Sequence, residues 1–401
     1  MSVKDNGVVC PMPFIQFSTT TTGKYQACCI AKPVDEMTFE NTSPMEFFNS
    51  SHMKQLRYDM AIGNKSDLFK DTCRNCIRQE INNGASRRID SIYHSIHGPL
   101  LTEKILENVR KNPNLDLSPK SIDHIKMKVF GNLCNLKCSM CTPTASSKLA
   151  AELKKHGKWG GPTIENSYNK IDKEKLYRDL EVVLPHTREF EIVGGEPMIL
   201  EQSLEMVEWI VSKGLSKNLE FRIITNATTD NFELYNLMKH FRKAQFLISL
   251  DGVGKKDEYI RYGTKWEEKV NVIKNIEMAG IKITWSNTIQ LLNIGYLVEM
   301  SEFMEQFSTP TLNNPLTWPA GYRAVNIPKE IAEMYMKKYN EKRFRMIHRH
   351  YYTLGNDKNR NHQEFLQGMK RLKWFDEKRG TCLLDEWPEF EKWYNLVEAE
   401  L

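Results

Sequence analysis

Three cysteines in the middle of the chain have the spacing of a metal-cluster loop. Cys134, Cys138 and Cys141 form a C-x3-C-x2-C pattern directly after an apolar run at residues 125–130. That run predicts a strand, so the cysteines lie on the loop that leaves its end. Thiolates hold iron–sulfur clusters, and a cubic cluster has four irons, so three cysteines leave one iron open to a ligand that is not protein. The loop is therefore predicted to be a chemical site.

Structural zinc is the main alternative for this loop, because closely spaced cysteines often hold tetrahedral zinc. Such a site needs a fourth cysteine or histidine close by. The first histidine after Cys141 is His156, well beyond the spacing of a compact zinc motif. The pattern therefore favours an iron–sulfur cluster.

A second set of cysteines precedes the first. A C-x2-C pair follows more distant thiols, and our choice of four ligands is Cys10, Cys28, Cys73 and Cys76. Neighbouring residues are hard to separate by sequence, so Cys29 is the alternative to Cys28. Four thiols suit either structural zinc or a closed iron–sulfur cluster, and the spacing alone does not choose between the two.

The middle of the chain repeats an apolar strand followed by an amphipathic helix. This repeat predicts an α/β fold with a parallel sheet covered by helices. The candidate strands are residues 125–130, 190–193, 219–224, 245–250, 281–289 and 322–327.

Polar residues and glycines follow several of these strands, where parallel α/β folds place their active sites. The ordinary reading of such residues is a tight turn or the cap of the next helix. The candidates are Gly194, Gly195, Glu196, Pro197, Thr225, Asn226, Ser249 and Asp251, with Met140, Arg261 and Asn287 as further members.

Together the cysteine loop and the strand-end motifs resemble the radical SAM superfamily. The resemblance implies a partial (β/α)6 TIM-like barrel, a [4Fe–4S] cluster on the three-cysteine loop, and S-adenosylmethionine (SAM) bound at the open iron. It implies that Gly194-Gly195-Glu196-Pro197 contacts the SAM amino group, and that Arg261 binds the SAM carboxylate as a bidentate partner. It also implies contacts to the ribose and polar edges from Thr225, Asn226, Ser249 and Asp251, and to the adenine from Met140. Asn287 either reaches the same pocket or is a satisfied strand-end amide.

The N-terminal cysteines resemble the SPASM/twitch extension of radical SAM maturases. In that module a Cys-Pro segment, a glycine, a Cys-Cys pair and a closing C-x2-C surround an auxiliary [4Fe–4S] cluster. Here Cys10-Pro11, Gly23, Cys28-Cys29 and residues 73–76 match these parts. In familiar SPASM enzymes the module follows the barrel, whereas here it precedes it. The resemblance favours an auxiliary cluster over zinc.

These markers divide the chain into four predicted segments. They are an N-terminal Cys-rich auxiliary module (1–85), a helical bridge (86–120), the partial barrel (121–327) and a helical C-terminal extension (328–401). Cys382 in the extension is not needed as a metal ligand. It is a candidate hydrogen donor to a substrate radical, although free cysteines are more often small buried apolar groups.

Composition restricts the compartment and the partners. No apolar run approaches the ~20 residues of a membrane span, and the N-terminus lacks a secretion signal. Seven of the nine cysteines are assigned to metal sites, so we expect a reducing, cytoplasmic location. A net charge of +5 is too small to indicate nucleic acid. A basic run from Lys337 to His350, which includes Lys342, is read as a solvated helix face, with an anion-binding surface as the alternative.

The sequence therefore predicts an enzyme. The resemblance implies reductive cleavage of SAM and hydrogen abstraction by a 5′-deoxyadenosyl radical, with an electron from a reductant such as flavodoxin or ferredoxin. A peptide or protein is the expected substrate, and a small molecule such as a sugar or nucleotide is the alternative. A non-enzymatic two-cluster electron carrier is disfavoured, because it would not need the polar strand ends.

Overall fold

The computed structural model describes residues 7–83, 86–93, 95–128, 130–161, 172–312, 314–339, 354–355 and 357–401. The basic run predicted near the C-terminal extension falls outside these residues from Lys342 onward. None of the described helices combines the length and the apolar character needed to cross a membrane.

Seven strands form one sheet. They are β1 (Gln16–Thr19), β2 (Tyr25–Gln26), β3 (His124–Met127), β4 (Glu189–Ile192), β5 (Glu220–Thr225), β6 (Lys243–Ser249) and β7 (Lys282–Ser286). Their spatial order is β2-β1-β3-β4-β5-β6-β7. Strand β2 is antiparallel to β1, whereas β1 is parallel to β3 and β3 is parallel to β4. The predicted α/β class and parallel sheet are confirmed.

Helices separate most of the strands. In chain order they are α1 (Met12–Ile15), α2 (Pro44–Phe48), α3 (Ser51–Ile62), α4 (Asp67–Thr72), α5 (Arg74–Asn83), α6 (Arg87–Tyr93), α7 (Glu103–Lys111), α8 (Ser147–Lys155), α9 (Lys173–Val183), α10 (Glu201–Ser212), α11 (Phe232–Met238), α12 (Lys255–Ile260), α13 (Trp266–Met278), α14 (Leu297–Glu305), α15 (Lys329–Lys338), α16 (His362–Arg379) and α17 (Glu391–Leu396).

Five of the six predicted strands are present, with their ends shifted by a few residues, and the sixth is wrong. Residues 322–327 form two short 3-10 turns, Ala320–Tyr322 and Ala324–Asn326, instead of a strand. The sixth strand parallel to its neighbour is β1, which comes from the cysteine-rich N-terminal region. It pairs with β3 in the register Phe17 to Ile125.

By their internal contacts the residues divide into two compact units. The first comprises Met1–Asn132, Ile164–Ile223 and Leu237–Ala244, and the second comprises Leu133–Thr163, Ile224–Asn236 and Gln245–Leu401, as far as the structure describes them. The predicted four-segment division remains a prediction.

In the first unit the two faces of the sheet differ in chemistry. Side chains alternate across a strand, so Phe17, Ile125, Phe190 and Phe221 share one face. The rings of Phe190 and Phe221 stack 6.0 Å apart, and Phe221 stacks on Phe241 at 4.5 Å. The opposite face is polar and largely buried, and carries Gln16, Ser18, His124, Lys126, Glu189, Glu191 and Arg222.

In the second unit, β6 and β7 pair in parallel and helices cover their apolar side chains. Leu149, Leu153, Trp374 and Phe375 form one apolar cluster between α8 and α16. Trp387 is fully buried and donates its indole N–H to the carbonyl of Leu292 at 2.7 Å. A buried indole needs such a partner, so this bond fixes the C-terminal residues on the unit.

Candidate active site

The backbone of the three-cysteine loop is held by the segment that follows α12. Lys137 N–H donates to the Tyr262 carbonyl at 2.8 Å, and Ser139 N–H donates to the Ile260 carbonyl at 2.9 Å. At the other end of the loop, Ser146 caps α8 and donates its hydroxyl to the Leu136 carbonyl at 2.7 Å. These bonds place Arg261 directly beside the cysteines, although more than a hundred residues separate them in sequence.

Two of the loop thiols, Cys138 and Cys141, lie in surroundings that oppose ionisation. Cys134 and Cys138 are buried, and Cys141 is half-buried. Burial and the neighbouring Cys138 raise the pKa of the Cys141 thiol to about 12. Burial also raises the pKa of Cys138, an effect that Arg261 partly offsets. A bound metal deprotonates its thiol ligands outright, so buried thiols of this kind fit the ligands of an iron–sulfur cluster better than free reactive thiols.

A buried ion pair lies next to the Cys138 sulfur. Arg261 Nη2 is 2.7 Å from Asp251 Oδ2, and Arg261 Nη1 is 4.0 Å from Cys138 Sγ. Burial of the guanidinium opposes its charge, but Asp251 and Cys138 raise the pKa of Arg261 above its usual value. Asp251 Oδ1 also accepts from the Thr288 N–H at 2.6 Å, which ties the ends of β6 and β7 together.

Two fully buried charges behind this pair were not predicted from the sequence. Lys269 Nζ donates to Asp257 Oδ2 at 2.6 Å and to the Ser249 carbonyl at 2.9 Å. Asp257 Oδ1 in turn accepts from the Asp251 N–H at 3.1 Å. The sequence could have indicated that Lys269 is buried, because Lys269 shares one face of α13 with the buried Val272 and Ile273.

The end of β5 is hydrogen-bonded to the cysteine loop. Asn226 Nδ2 donates to Asn135 Oδ1, and Asn135 Nδ2 donates to Thr228 Oγ1, both at 2.8 Å. Between them Ala227 has a φ of 55°, a left-handed conformation that is rare for alanine. Thr225 Oγ1 accepts from the Ala227 N–H at 2.9 Å and supports this turn. Asn135 is thus a positioning residue that the cysteine pattern did not single out.

The Gly-Gly-Glu-Pro segment follows β4 in the first unit. Gly194 has a φ of +101°, and a side chain there would approach Lys128 Cβ at 3.4 Å, so glycine suits the position. Glu196 is buried, and its Oε1 accepts from the Met198 N–H at 3.1 Å at the start of the turn Pro197–Ile199. The turn-forming role is therefore observed, and the SAM contact of this segment remains a prediction.

The remaining predicted residues have defined surroundings. Met140 is buried beside the cysteines. Asn287 donates its side-chain amide to the Thr311 carbonyl, as expected for a satisfied strand-end amide. Cys382 is half-buried before the turn Leu383–Asp385. The structure brings Cys138, Asp251 and Arg261 together, and their roles toward SAM remain predictions.

Four of the five N-terminal cysteines, Cys10, Cys28, Cys73 and Cys76, line one small cavity, together with the buried Arg88. Burial and the neighbouring Cys29 raise the pKa of Cys28 to about 12. Burial, together with the charges of Cys28, Cys73 and Cys76, raises the pKa of Cys10. Four such thiols facing one cavity fit a four-thiolate cluster.

Cys29 has different surroundings from Cys28 and does not line this cavity. Burial raises the pKa of Cys29, but Arg87, Lys126 and Lys128 outweigh burial and lower it. The geometry favours Cys28 as the ligand, and the assignment remains a prediction.

Residues 128–304 match the model of the Radical SAM superfamily. Over this part of the chain, which is less than half of its length, the sequence is similar to that superfamily, whose enzymes bind a [4Fe–4S] cluster and SAM. The predicted enzyme class and these two cofactors are confirmed at that level, with the reaction unspecified. The match begins after the N-terminal cysteines, so the auxiliary module remains a prediction.

Solved structures with similarity to the chain include two with bound S-adenosylmethionine. SuiB of Streptococcus suis bound to S-adenosylmethionine has a TM-score of 0.34 and 13% identity, over 70% of this chain and 60% of that chain. Native anSMEcpe with bound AdoMet has a TM-score of 0.39 and 15% identity, over 62% and 65%. The chain thus spans 60% to 65% of the length of these two proteins. No curated protein sequence matches it.

The buried Asp251–Arg261 pair predicts the effect of a substitution. Arg261→Ala is expected to lower the free energy of unfolding by about 3–5 kcal/mol, because it leaves the Asp251 carboxylate buried without its cation. Anaerobic urea denaturation followed by tryptophan fluorescence measures this change.

The matched control is Lys265→Ala. Its ion pair with Glu268 has the same length of 2.7 Å but is 74% and 59% exposed at the two side chains. Exposed pairs contribute about 0–1 kcal/mol. Equal losses of stability in the two variants would show that burial does not increase the contribution of the Asp251–Arg261 pair to the free energy of unfolding.

Proposed function

We propose that the chain is a radical SAM enzyme with two iron–sulfur clusters that modifies a peptide or protein. The observation that carries the proposal is the loop of Cys134, Cys138 and Cys141 within the superfamily domain, with Arg261 beside it. When bound there, the [4Fe–4S] cluster and SAM supply the radical that abstracts hydrogen from an unreactive C–H bond. The protein residues hold the cofactors, orient the substrate and shield the radical.

Each residue near the loop has a role in this proposal. The three cysteines hold the cluster, and the cation of Arg261 stabilises negative charge on the Cys138 sulfur. Asp251 positions Arg261 through their 2.7 Å contact. Asn135 fixes the loop against the turn after β5. In the SAM-bound enzyme Arg261 would also bind the SAM carboxylate, since a guanidinium has enough donors for two carboxylates.

We assign a second [4Fe–4S] cluster to Cys10, Cys28, Cys73 and Cys76. The support is the cavity that all four thiols line, and the resemblance to the SPASM/twitch module. The buried Arg88 beside them is held by Glu80 at 2.6 Å and adds positive charge at the site. A cluster on four thiolates has no open iron, so its natural role is electron transfer with the substrate radical or with a reductant such as flavodoxin or ferredoxin.

A peptide or protein is the substrate class that we propose, and the cytoplasm is the compartment. The support for the substrate is the likeness of the N-terminal cysteines to the module of peptide-modifying maturases. Small-molecule enzymes share that module, so a sugar or a nucleotide is the alternative outcome of the experiment below.

The first test is the iron content after anaerobic reconstitution. Two four-iron clusters give about eight irons per chain, and replacing Cys134, Cys138 and Cys141 by alanine should leave about four. The iron content of the Cys28→Ser variant should also fall toward about four per chain. The iron content of the neighbouring Cys29→Ser variant should stay at about eight. Loss of iron confined to Cys29→Ser would reverse the ligand assignment, and about four irons with one sulfur-bound zinc would make the N-terminal site structural.

The second test is cleavage of SAM without substrate. With dithionite the wild-type enzyme should slowly form 5′-deoxyadenosine, and Cys138→Ala should form none, because its cluster lacks a ligand. Cys382→Ala is the control, since this thiol is not assigned to a cluster and its loss should leave the rate unchanged. Chromatography of the quenched reaction measures the product. An active Cys138→Ala variant would exclude the proposed cluster site.

The third test identifies the substrate class. Polypeptides from the native host that bind the enzyme under anaerobic conditions are incubated with the enzyme, SAM and reductant. Their masses are then measured by mass spectrometry. We expect a peptide whose mass changes with the wild-type enzyme and not with Cys134→Ala. Capture of nucleotides or sugars with no modified polypeptide would contradict the peptide proposal, while leaving SAM cleavage as a separate result.

A further inference from the structure

Two histidines and a glutamate meet in the first unit. His97 precedes the turn Gly98–Leu100, His124 is the first residue of β3, and Glu189 is the first residue of β4. The strand register places His124 directly beside Glu189. The candidate ligand atoms of the three residues all lie within 4.8 Å of one another.

Several polar atoms in this cluster lack hydrogen bonds. His124 is 2% exposed and Glu189 is 0% exposed. Both ring nitrogens of His124, Nδ1 of His97 and Oε2 of Glu189 nevertheless have no hydrogen-bond partner among the residues that the structure describes. Buried polar atoms are normally paired, so a group of them facing each other calls for an explanation.

The spacing suits a metal ion. His124 Nε2 is 3.4 Å from Glu189 Oε1, without the geometry of a hydrogen bond. Two ligands of a tetrahedral zinc with bonds of about 2.0–2.1 Å also lie about 3.4 Å apart.

The surrounding charges resemble the outer shell of a metal site. Asp123 Oδ2 lies 3.9 Å from His97 Nδ1, beyond hydrogen-bond distance, and adds negative charge beside the cluster. Arg222 binds Oε1 of Glu189, and Arg188 holds Asp123 at 2.6 Å and lies 3.6 Å from Glu189 Oε2.

The remaining charge beside the cluster is the Glu191 carboxylate, 3.7 Å from His124 Nε2, which is paired with Lys126. The two arginines disfavour an ion held by charge alone, such as Mg²⁺. A metal that bonds strongly to neutral imidazole is favoured instead.

We propose that His97, His124 and Glu189 bind one Zn²⁺ ion. Two imidazole nitrogens and one carboxylate oxygen are a donor set that zinc accepts, with a water molecule as the fourth ligand. The site lies at the amino ends of β3 and β4, whereas Glu196 follows the carboxyl end of β4. The amino ends of such strands serve stability and not catalysis, so the ion has a structural role that joins the segment before Gly98 to the sheet.

The test uses the reconstituted full chain with both clusters. One equivalent of Zn²⁺ is added, unbound metal is removed, and zinc is counted by mass spectrometry. We expect about one zinc per chain in the wild type, and at least tenfold weaker retention in His97→Gln and Glu189→Gln. His186→Gln is the matched control, because His186 is exposed in the same unit and is not one of the three proposed ligands.

X-ray absorption at the zinc edge distinguishes this site from zinc bound by cysteines. Nitrogen and oxygen neighbours at about 2.0–2.1 Å support the proposal, and sulfur at about 2.3 Å contradicts it. Zinc should also raise the melting temperature of the wild type and of His186→Gln, but not of His97→Gln. Absence of retained zinc, or equal retention in His97→Gln and the wild type, would overturn the assignment. Unchanged iron content and circular dichroism in the variants exclude misfolding as the cause of lost zinc.

Discussion

The buried contact between Asp251 and Arg261 is the constraint on which the cysteine loop depends. Asp251 accepts from Thr288 after β7, pairs with Arg261 after α12, and through its N–H binds Asp257. Removing two charges from water is costly unless good geometry and further hydrogen bonds offset the cost. All these elements must therefore be in place together, and the same segment that supplies Arg261 holds the loop backbone.

This arrangement also explains why the loop can accept a metal cluster. A cluster on thiolates brings negative charge into a buried region. Arg261 lies 4.0 Å from Cys138 Sγ, yet most of its charge is already balanced by Asp251. The site is thus close to neutral before a cluster binds, and Arg261 can share its donors between Asp251 and an incoming anion. A site with an unpaired arginine would be harder to fold without its cofactor.

The sequence predicted the elements whose signals are local. Strands β3 to β7 are apolar runs bounded by turn residues, and the cysteine spacing singled out the loop. Strand β1 was missed because only Phe17 among Gln16–Thr19 is strongly apolar. Its pairing with β3 spans about a hundred residues, and its polar side chains are buried against charged partners on one face of the sheet. Buried polar side chains whose partners lie on distant segments produce no periodic apolar pattern in the sequence.

The residues of the candidate site also fall into two groups, those that local sequence patterns identify and those that depend on contacts between distant segments. Arg261 and Asp251 were identified as members of a site, but their mutual contact depends on two segments meeting in space. Lys269 and Asp257 were not identified, because charged residues are almost never fully buried unless they are paired, and the pair cannot be seen in one helix. Asn135 lay inside the cysteine pattern, yet its role depends on Asn226, which lies far along the chain.

Strand β1 also gives the N-terminal cysteines a physical place in the fold. Cys10 precedes α1 and β1, and Cys28 follows β2, so the two thiols flank a hairpin that extends the parallel sheet and both lie toward its open end. Cys28 faces the cavity, whereas the charges on the polar side of the sheet, Lys126 and Lys128, act on Cys29. Backbone hydrogen bonds of this hairpin therefore help to position Cys10 and Cys28, whereas Cys73 and Cys76 lie at the end of α4 and in α5.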